Sequence, residues 1–247
     1  MFPLATRGDG VPPLRLQAVV AHPDDETFGC GSLLLHAAAA GAVTGVVCAT
    51  RGEAGQVADG VVVPVGGLAA LREAELREAA RLMGVTDVRL LDFVDSDMTG
   101  DPASDTLCGA PLDDVVAQVR RAAEEFGADV LVSLDGSDHR DHARARDATQ
   151  VVGAELGLPV YLIAIPRSLL VRWVEHQRTV NPDSVYLDIA EIGTPDELVT
   201  HRFDTDEHYD ARWRAMEAHR SQTGPFDGLP DDLARAFLTR EHLIEVR

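Results

Sequence analysis

The sequence contains no lysine: all 22 basic side chains are arginines, and they face 41 acidic side chains. A phosphate-loop lysine, a Schiff-base lysine and a lysine general base are therefore excluded. The net charge of −19 speaks against nucleic acids and anionic membranes, because binding to either relies on a basic surface. We expect neither as a partner.

Cysteine and long apolar runs are also scarce. The three cysteines, Cys30, Cys48 and Cys108, form no paired-spacing motif, which favours a reducing cytoplasm over a disulfide framework. The N-terminus has no apolar core typical of a secretory signal. The most apolar stretch, 33–50, is interrupted by polar residues and glycines, so it is no membrane span. We expect a cytoplasmic protein.

Short apolar strands alternate with helical stripes in the first two thirds of the chain. This predicts an α/β, Rossmann-like single domain with a mostly parallel sheet and helices on both faces. The domain spans 1–247, with a core at about 14–222. After about residue 166 the pattern weakens. Strands are predicted at 14–21, 43–49, 88–93, 130–134, 160–165 and 185–189, and helices at 28–40, 68–83, 112–126, 143–156 and 206–220, before a terminal element from 231.

Polar clusters follow four of the predicted strands, at 22–26, 51–56, 95–98 and 135–142. Reactive groups of parallel sheets gather beyond the carboxyl ends of the strands. We therefore expect these clusters to converge at one edge of the sheet. The stretch 52–67 is predicted to be a long loop at that edge, which is a common place for functional residues.

The first cluster, 22–26, places one imidazole and three carboxylates on a turn that Pro23 stiffens. Alone it could be a solvated acidic turn that caps the next helix. The second cluster favours a metal site over a solvated turn, because His139 and His142 stand three residues apart at the predicted start of a helix. Histidines and carboxylates without thiolates favour catalytic zinc, with three protein ligands and one open position.

Together the two clusters resemble the motifs of the LmbE-like or PIG-L-like zinc-dependent N-acetylglucosaminyl deacetylases. The first reads Ala-His-Pro-Asp-Asp-Glu at 21–26, and the second reads His-Arg-Asp-His at 139–142, where the family usually has His-Pro-Asp-His. The similarity extends from about 14 to 222. It includes the stretches 52–55, 95–98 and 218–222, and Arg72.

The resemblance implies a role for each residue of the two motifs. Zinc would be held by His22, Asp25 and His142, and Asp24 would be the general base on the attacking water. His139 would stabilise the oxyanion or protonate the leaving amine, with Asp141 orienting it. Amide hydrolysis needs these functions, because zinc lowers the pKa of its water to about 7 and the tetrahedral oxyanion needs a fixed donor.

Further matches concern the substrate and the surroundings of the site. Arg72, Asp95 and Gln56 are predicted to bind substrate hydroxyls, although Arg72 could also be an exposed helix residue paired with a glutamate of its own helix. His219 and Gln222 are predicted to be structural or to line the pocket.

Two positions depart from the family pattern. Arg140 replaces the usual proline and would place a cation beside the metal, and Ser137 stands where some relatives have a tyrosine. Five other histidines lack partner motifs and are expected at surfaces or in packing: His36, His176, His201, His208 and His242.

We therefore expect a zinc-dependent amidohydrolase that removes an N-acyl group, acetyl above all, from a small glucosamine-containing conjugate. A thiol S-conjugate amidase of the same family is the alternative. A metal-dependent hydrolase of another ester and a non-catalytic sugar-binding module are weaker ones. A sugar-binding module of this fold would need a glycine-rich loop, and the Gly-x-Gly-x-x-Gly pattern is absent because Leu34 stands at its final position. The oligomeric state is not predicted.

Overall fold

The computed structural model describes residues 11–136, 139–182, 187 and 192–246. In this part of the chain seven strands form one sheet and eight α-helices pack around it. The strands are β1 Arg15–Val20, β2 Val43–Cys48, β3 Asp87–Leu90, β4 Val130–Leu134, β5 Val160–Ile163, β6 His201–Asp204 and β7 Arg240–Val246. The helices are α1 Asp25–Phe28, α2 Gly31–Ala39, α3 Gly67–Leu82, α4 Leu112–Phe126, α5 Arg140–Leu156, α6 Arg167–Val180, α7 Tyr209–Met216 and α8 Asp231–Leu238.

The strand order is β3-β2-β1-β4-β5-β7-β6. The first five strands are parallel, and β7 pairs antiparallel with both β5 and β6. The predicted Rossmann-like sheet is therefore confirmed.

Each face of the sheet has its own apolar core, because successive side chains of a strand point to opposite faces. On β1, Val19 belongs to the core that includes residues of α4 and α5. Its neighbours Ala18 and Val20 belong to the opposite core, which includes residues of α2 and α3. Strands covered on both faces become nearly continuous apolar runs, and this is why the pattern of the first two thirds was readable.

The structure corrects several predicted boundaries. The helix predicted at 28–40 begins only at Gly31, as α2, and the short helix α1 precedes it, with Gly29 and Cys30 between the two. The helix predicted at 206–220 is the shorter α7. The strand predicted at 185–189 lies outside the described residues except for Leu187.

Among the later elements, α6, β6 and β7 were missed. Both strands are antiparallel, and β6 alternates half-buried with exposed residues over only four positions. Such a short alternating strand gives a weaker signal than a buried parallel strand.

The carboxyl ends of the parallel strands lead into the segments that the sequence singled out. The turn 21–24 follows β1, the loop 51–66 follows β2, and α5 begins shortly after β4. No helix of the described residues is long and apolar enough to cross a membrane.

Candidate active site

The turn after β1 carries the first motif on a strained backbone. Asp24 has a φ of 113°, a region that non-glycine residues rarely adopt and that costs roughly 1–3 kcal/mol. The turn is held from within, because the Asp24 backbone N–H donates to Oε2 of Glu26 at 2.9 Å. Strain of this kind is a mark of functional sites.

Three histidines meet beside this turn. The ring centroid of His22 lies 4.8 Å from that of His139 and 5.4 Å from that of His142, and the last two are 4.6 Å apart. His139 is the N-cap of α5, and its Nδ1 accepts a hydrogen bond from the Asp141 backbone N–H at 3.2 Å. The predicted convergence of the two motifs therefore takes place.

Asp25 lies between two of these histidines. Its Oδ1 is 3.0 Å from Nε2 of His142, and its Oδ2 is 3.6 Å from Nδ1 of His22. Oδ2 also accepts backbone hydrogen bonds from Ala21 and His22 at 3.2 and 2.9 Å. Although burial opposes it, His142 and His22 hold the pKa of Asp25 well below its usual range. Asp25 is therefore an ionised carboxylate, as a metal ligand must be.

Two sets of donor atoms around His22 lie within 4.8 Å of one another: His22, His139 and His142, and His22, Asp95 and Asp141. The predicted ligands His22, Asp25 and His142 are joined through the contacts of Asp25 rather than by falling into one of these sets. The site therefore offers more imidazole and carboxylate donors than the three that a catalytic zinc needs.

The electrostatics of His22 favour a cation at this place. Burial by itself would lower its pKa, but hydrogen bonds with Asp141 and Asp25 and the charges of Asp25 and Asp95 raise the pKa of His22 to about 10. The carboxylates thus attract positive charge strongly enough to overcome burial. A divalent ion fits this donor set and this field.

Asp24 has the properties of a general base. Its side chain is 16% exposed and so remains reachable from solvent. Burial, opposed by the Arg72 guanidinium, raises the pKa of Asp24 to about 6. A carboxylate with a pKa close to the working pH both holds its charge and accepts a proton effectively.

Arg72 points into the protein and contacts the turn after β1. It is 3% exposed, so it is not a surface residue of α3. Its guanidinium donates to the carbonyls of Pro23 and Gly52 at 2.5 and 2.9 Å and to Oδ2 of Asp24 at 3.0 Å. A Cβ at Gly52 or Gly55 would overlap its Nη1, so the two glycines make room for it. Arg72 supports the strained turn and the candidate base, and its predicted contact with a substrate hydroxyl stays a prediction.

A second buried layer supports the turn from the side of the late motif. Nε2 of His219 lies 2.5 Å from Oε1 of Glu26, and both side chains are fully buried. Ser221 donates from its backbone N–H and its hydroxyl to Glu75, at 3.0 and 2.6 Å. Of the two predicted roles for His219, the structural one fits these contacts.

Asp141 contacts a different histidine from the one predicted. Its Oδ2 lies 3.2 Å from Nε2 of His22 and accepts the Ser96 N–H at 3.0 Å, while the Cys108 thiol donates to Oδ1 at 3.0 Å. Despite burial, these hydrogen bonds keep the pKa of Asp141 low. Only the Asp141 backbone meets His139, because His139 is the N-cap and so faces the first N–H groups of α5.

Cys108 is a neighbour of the site that sequence reasoning missed. Burial and Asp141 raise the pKa of its thiol to about 11, so it is a hydrogen-bond donor rather than a nucleophile. No sequence motif surrounds Cys108, because the segment 101–110 comes close to the site only in the tertiary structure. Cys30 is fully buried, and burial raises the pKa of its thiol, so it packs as a small apolar residue rather than reacting as a thiolate.

Arg140 does not put its charge beside the histidines. Its guanidinium donates to the carbonyls of Ser96, Asp97, Thr99 and Gly100, and so fastens the loop after β3 to the start of α5. The cation is directed to the loop because four carbonyl oxygens converge there. Ser137 and its neighbour at 138 lie outside the described residues.

The remaining predicted residues divide between the site and the surface. Asp95 lies in the site, with Oδ1 at 3.8 Å from Nε2 of His22, and its backbone N–H donates to Glu53 at 3.2 Å. Gln56 is exposed in the loop 51–66. The structure therefore brings Asp95 together with the histidines and leaves Gln56 at the rim.

Comparison with known proteins decides the family. Residues 17–152 match the PIG-L family, described as GlcNAc-PI de-N-acetylase. The chain belongs to the PIG-L family. The resemblance predicted from the two motifs is thereby confirmed, and the relatives are named as deacetylases of an N-acetylglucosamine conjugate, the reaction expected from those motifs.

The relatives of this chain include proteins named 1D-myo-inositol 2-acetamido-2-deoxy-alpha-D-glucopyranoside deacetylase. The protein of Geodermatophilus obscurus is 32% identical, with 96% of this chain and 93% of the relative covered. The protein of Thermobifida fusca is 33% identical, over 84% of this chain and 83% of the relative. Both similarities cover more than four fifths of each chain.

Solved structures show the same fold at low identity. The A40926 pseudoaglycone deacetylase Dbv21 matches with a TM-score of 0.66 and 20% identity, covering 95% of this chain and 97% of that one. The zinc-inhibited form of teicoplanin deacetylase Orf2 has a TM-score of 0.63 and 17% identity, covering 94% and 98%. GalB, a 4-carboxy-2-hydroxymuconate hydratase, has a TM-score of 0.62 and 15% identity, covering 95% of this chain and 96% of that one. Since a hydratase shares the fold, the reaction must be argued from the site.

Proposed function

We propose that this PIG-L protein is a zinc-dependent deacetylase that hydrolyses the acetamido group of a glucosamine linked to inositol or to a similar polyol. The observation that carries the proposal is Asp24, a partly accessible carboxylate with a pKa of about 6, held next to a cluster of histidines and ionised carboxylates. The names of the relatives support the choice of substrate.

His22, Asp25 and His142 would hold the zinc ion. When bound, zinc supplies a water activated at neutral pH and a positive charge for the amide oxygen. The separation of 3.0 Å between Asp25 Oδ1 and His142 Nε2 supports this set. Asp141 and Asp95 both lie near Nε2 of His22, at 3.2 and 3.8 Å, and would fix the orientation of its ring, as carboxylates behind metal-bound histidines do.

Asp24 would take a proton from the water that attacks the acetyl carbonyl carbon. As the C–N bond breaks, Asp24 would pass that proton to the departing amine, so that acetate and a free amino sugar are released. Arg72 would keep the carboxylate in place for both transfers, since it binds Asp24 Oδ2 and the carbonyl before it.

The hydrogen bonds of His139 favour one of its two predicted roles. Because Nδ1 accepts from the Asp141 backbone, the proton of the neutral ring lies on Nε2. Burial and the nearby His142 and His22 lower the pKa of His139 to about 4, so the ring stays neutral. A neutral imidazole with a fixed Nε2–H can donate to the oxyanion, but it is a poor proton source for the amine.

The alternative substrate is a thiol S-conjugate amide. The cytoplasm remains the proposed compartment for either substrate, and the three unpaired cysteines support it. An assay of amine release should compare the N-acetylglucosamine–inositol conjugate, free N-acetylglucosamine and a thiol S-conjugate amide. We expect the inositol conjugate to give the highest kcat/KM. Preference for the thiol conjugate would contradict the proposed substrate.

The metal is tested separately. Protein stripped with a chelator should lose amine release and regain it with zinc, whereas full activity after stripping would refute a metal mechanism.

The ligand set is tested by zinc content: Asp25→Asn should lose the ion, and His139→Ala should keep it. The control is Asp92→Asn, an exposed carboxylate in the segment after β3. Zinc loss in His139→Ala but not in Asp25→Asn would mean that His139, and not Asp25, is a zinc ligand.

A further inference from the structure

Two histidines that no motif explains come together away from the candidate active site. His36 lies in the last turns of α2, and His208 ends the 3-10 helix Asp206–His208 that leads into α7. Their ring centroids are 5.6 Å apart. Glu207 lies between them, with Oε1 at 3.8 Å from Nδ1 of His36 and at 3.3 Å from Nε2 of His208.

The two ring nitrogens that face Glu207 are not satisfied by the protein. Within the described part of the chain, neither Nδ1 of His36 nor Nε2 of His208 has a hydrogen-bond partner, although both atoms are buried. Buried polar atoms without partners are rare because they lose their hydrogen bonds to water. Two such atoms lie beside one carboxylate oxygen without a hydrogen bond to it, which indicates a missing group that all three could bind.

The spacing of these atoms fits a metal ion. The three donor atoms lie within 4.8 Å of one another. Zinc bonds of about 2.0–2.1 Å with tetrahedral angles place neighbouring ligand atoms roughly 3.3 Å apart, close to the observed 3.3 and 3.8 Å. Two imidazoles and one carboxylate, with no thiolate, are a donor set that suits zinc.

We propose that His36, Glu207 and His208 form a second binding site for a divalent transition metal, with zinc as the best match. The charge state of the donors agrees with this site. Burial lowers the pKa of His208 although the charge of Glu207 opposes it, and His36 adds to the lowering, which favours the neutral ring that binds metals. Glu207 is 71% exposed, so an ion can enter from solvent.

The site has a structural role because of what it joins. It connects α2 to the segment that begins α7. On α7, Arg212 donates to the carbonyls of Thr27 and Phe28 at 3.0 and 2.6 Å, directly behind the active-site turn. A metal bound at this second site fixes the start of α7 against α2 and stabilises the fold without touching the substrate.

Metal stoichiometry tests the proposal directly. Zinc binding to the metal-free full chain is measured by equilibrium dialysis and elemental analysis. We expect two equivalents for the wild type, one each for His36→Ala and His208→Ala, and two for the control His176→Ala, a half-buried histidine on α6. A single equivalent in the wild type, or two equivalents in both site variants, would overturn the second site.

Glu207→Gln gives a test that is independent of any effect of the histidine variants on folding, because Glu207 is mostly exposed. The Kd for zinc at the second site should rise at least 10-fold, and the Kd for zinc at the candidate active site should stay unchanged. In a His142→Ala background, zinc at 100 times its Kd should raise the Tm by about 5 °C or more, and adding His36→Ala should abolish the rise. A Tm that responds to pH but not to zinc would mean that the cluster only binds protons, and would refute the proposal.

Discussion

Two segments follow neighbouring strands at the same edge of the sheet, and they differ in almost every physical respect. The turn 21–26 after β1 is mostly buried, strained at Asp24 and tied to α3 and to the late motif. The loop 51–66 after β2 is mostly exposed and includes Val62 and Val65, which are almost fully exposed. The difference separates the groups that perform chemistry, which need fixed positions, from a rim that can vary with the substrate.

Arg72 is where the two segments meet. It binds the carbonyl of Pro23 in the turn and the carbonyl of Gly52 at the start of the loop. The comparison therefore predicts that substitutions in the turn have the largest effects on activity. Substitutions in the groups that support the turn should have intermediate effects, and those in the loop small ones.

The largest loss of activity is expected for Asp24→Asn. The amide keeps the shape of the side chain but cannot accept a proton, so kcat should fall by about 10²–10⁴-fold. Zinc content should stay at the wild-type level, since Asp24 is not a proposed ligand. Activity within a few-fold of the wild type would show that another group is the base.

A smaller loss is expected for Arg72→Met. Without the guanidinium, the pKa of Asp24 should rise above its value of about 6, because Arg72 favours the charged carboxylate. The base works only when it is ionised, so the acid limb of the pH–rate profile should move to higher pH, and kcat should fall more than 10-fold at pH 6.

The control for this variant is Arg77→Met, an exposed arginine on the same helix. A rise in KM with unchanged kcat and pH profile would contradict the positioning role and restore Arg72 as a substrate contact.

The next effect is on stability. His219→Gln removes one partner of a buried ion pair, which typically costs about 3–5 kcal/mol in the free energy of unfolding. Glu26 raises the pKa of His219 above its ordinary value of 6.5 despite burial. The pair therefore stabilises the fold most below pH 6.5 and loses this contribution as the pH rises through the folded-state pKa.

Denaturant unfolding of the wild type and His219→Gln at pH 6 and pH 9 measures this dependence. The difference between the two proteins should shrink at pH 9. A difference that stays constant or grows with pH would mean that His219 is buried in its neutral form. His176→Gln serves as the matched control.

The smallest effect is expected for Gln56→Ala in the loop. Because Gln56 is exposed, the free energy of unfolding should change by no more than about 0.5 kcal/mol. The expected change in kcat/KM is less than about threefold, and it should appear in KM. A tenfold loss of kcat would remove the distinction between the turn and the loop.

The sequence by itself determined the parallel part of the sheet and the two motifs. Buried parallel strands are continuous apolar runs, and polar clusters beyond their ends must share one edge. This is why the convergence of His22, Asp25, His139 and His142 was predictable. The antiparallel strands β6 and β7 were missed, since short alternating segments resemble ordinary surface sequence.

Only the tertiary structure decided what each side chain contacts. Arg72 lies inside the protein because it binds two carbonyls and Asp24 there. Arg140 binds a loop instead of facing the candidate metal site, and Asp141 contacts His22. The pairing of Glu26 with His219 and of His36 with Glu207 and His208 joins residues more than 150 positions apart. Such contacts depend on how helices pack, and local sequence patterns carry no information about partners so distant in the chain.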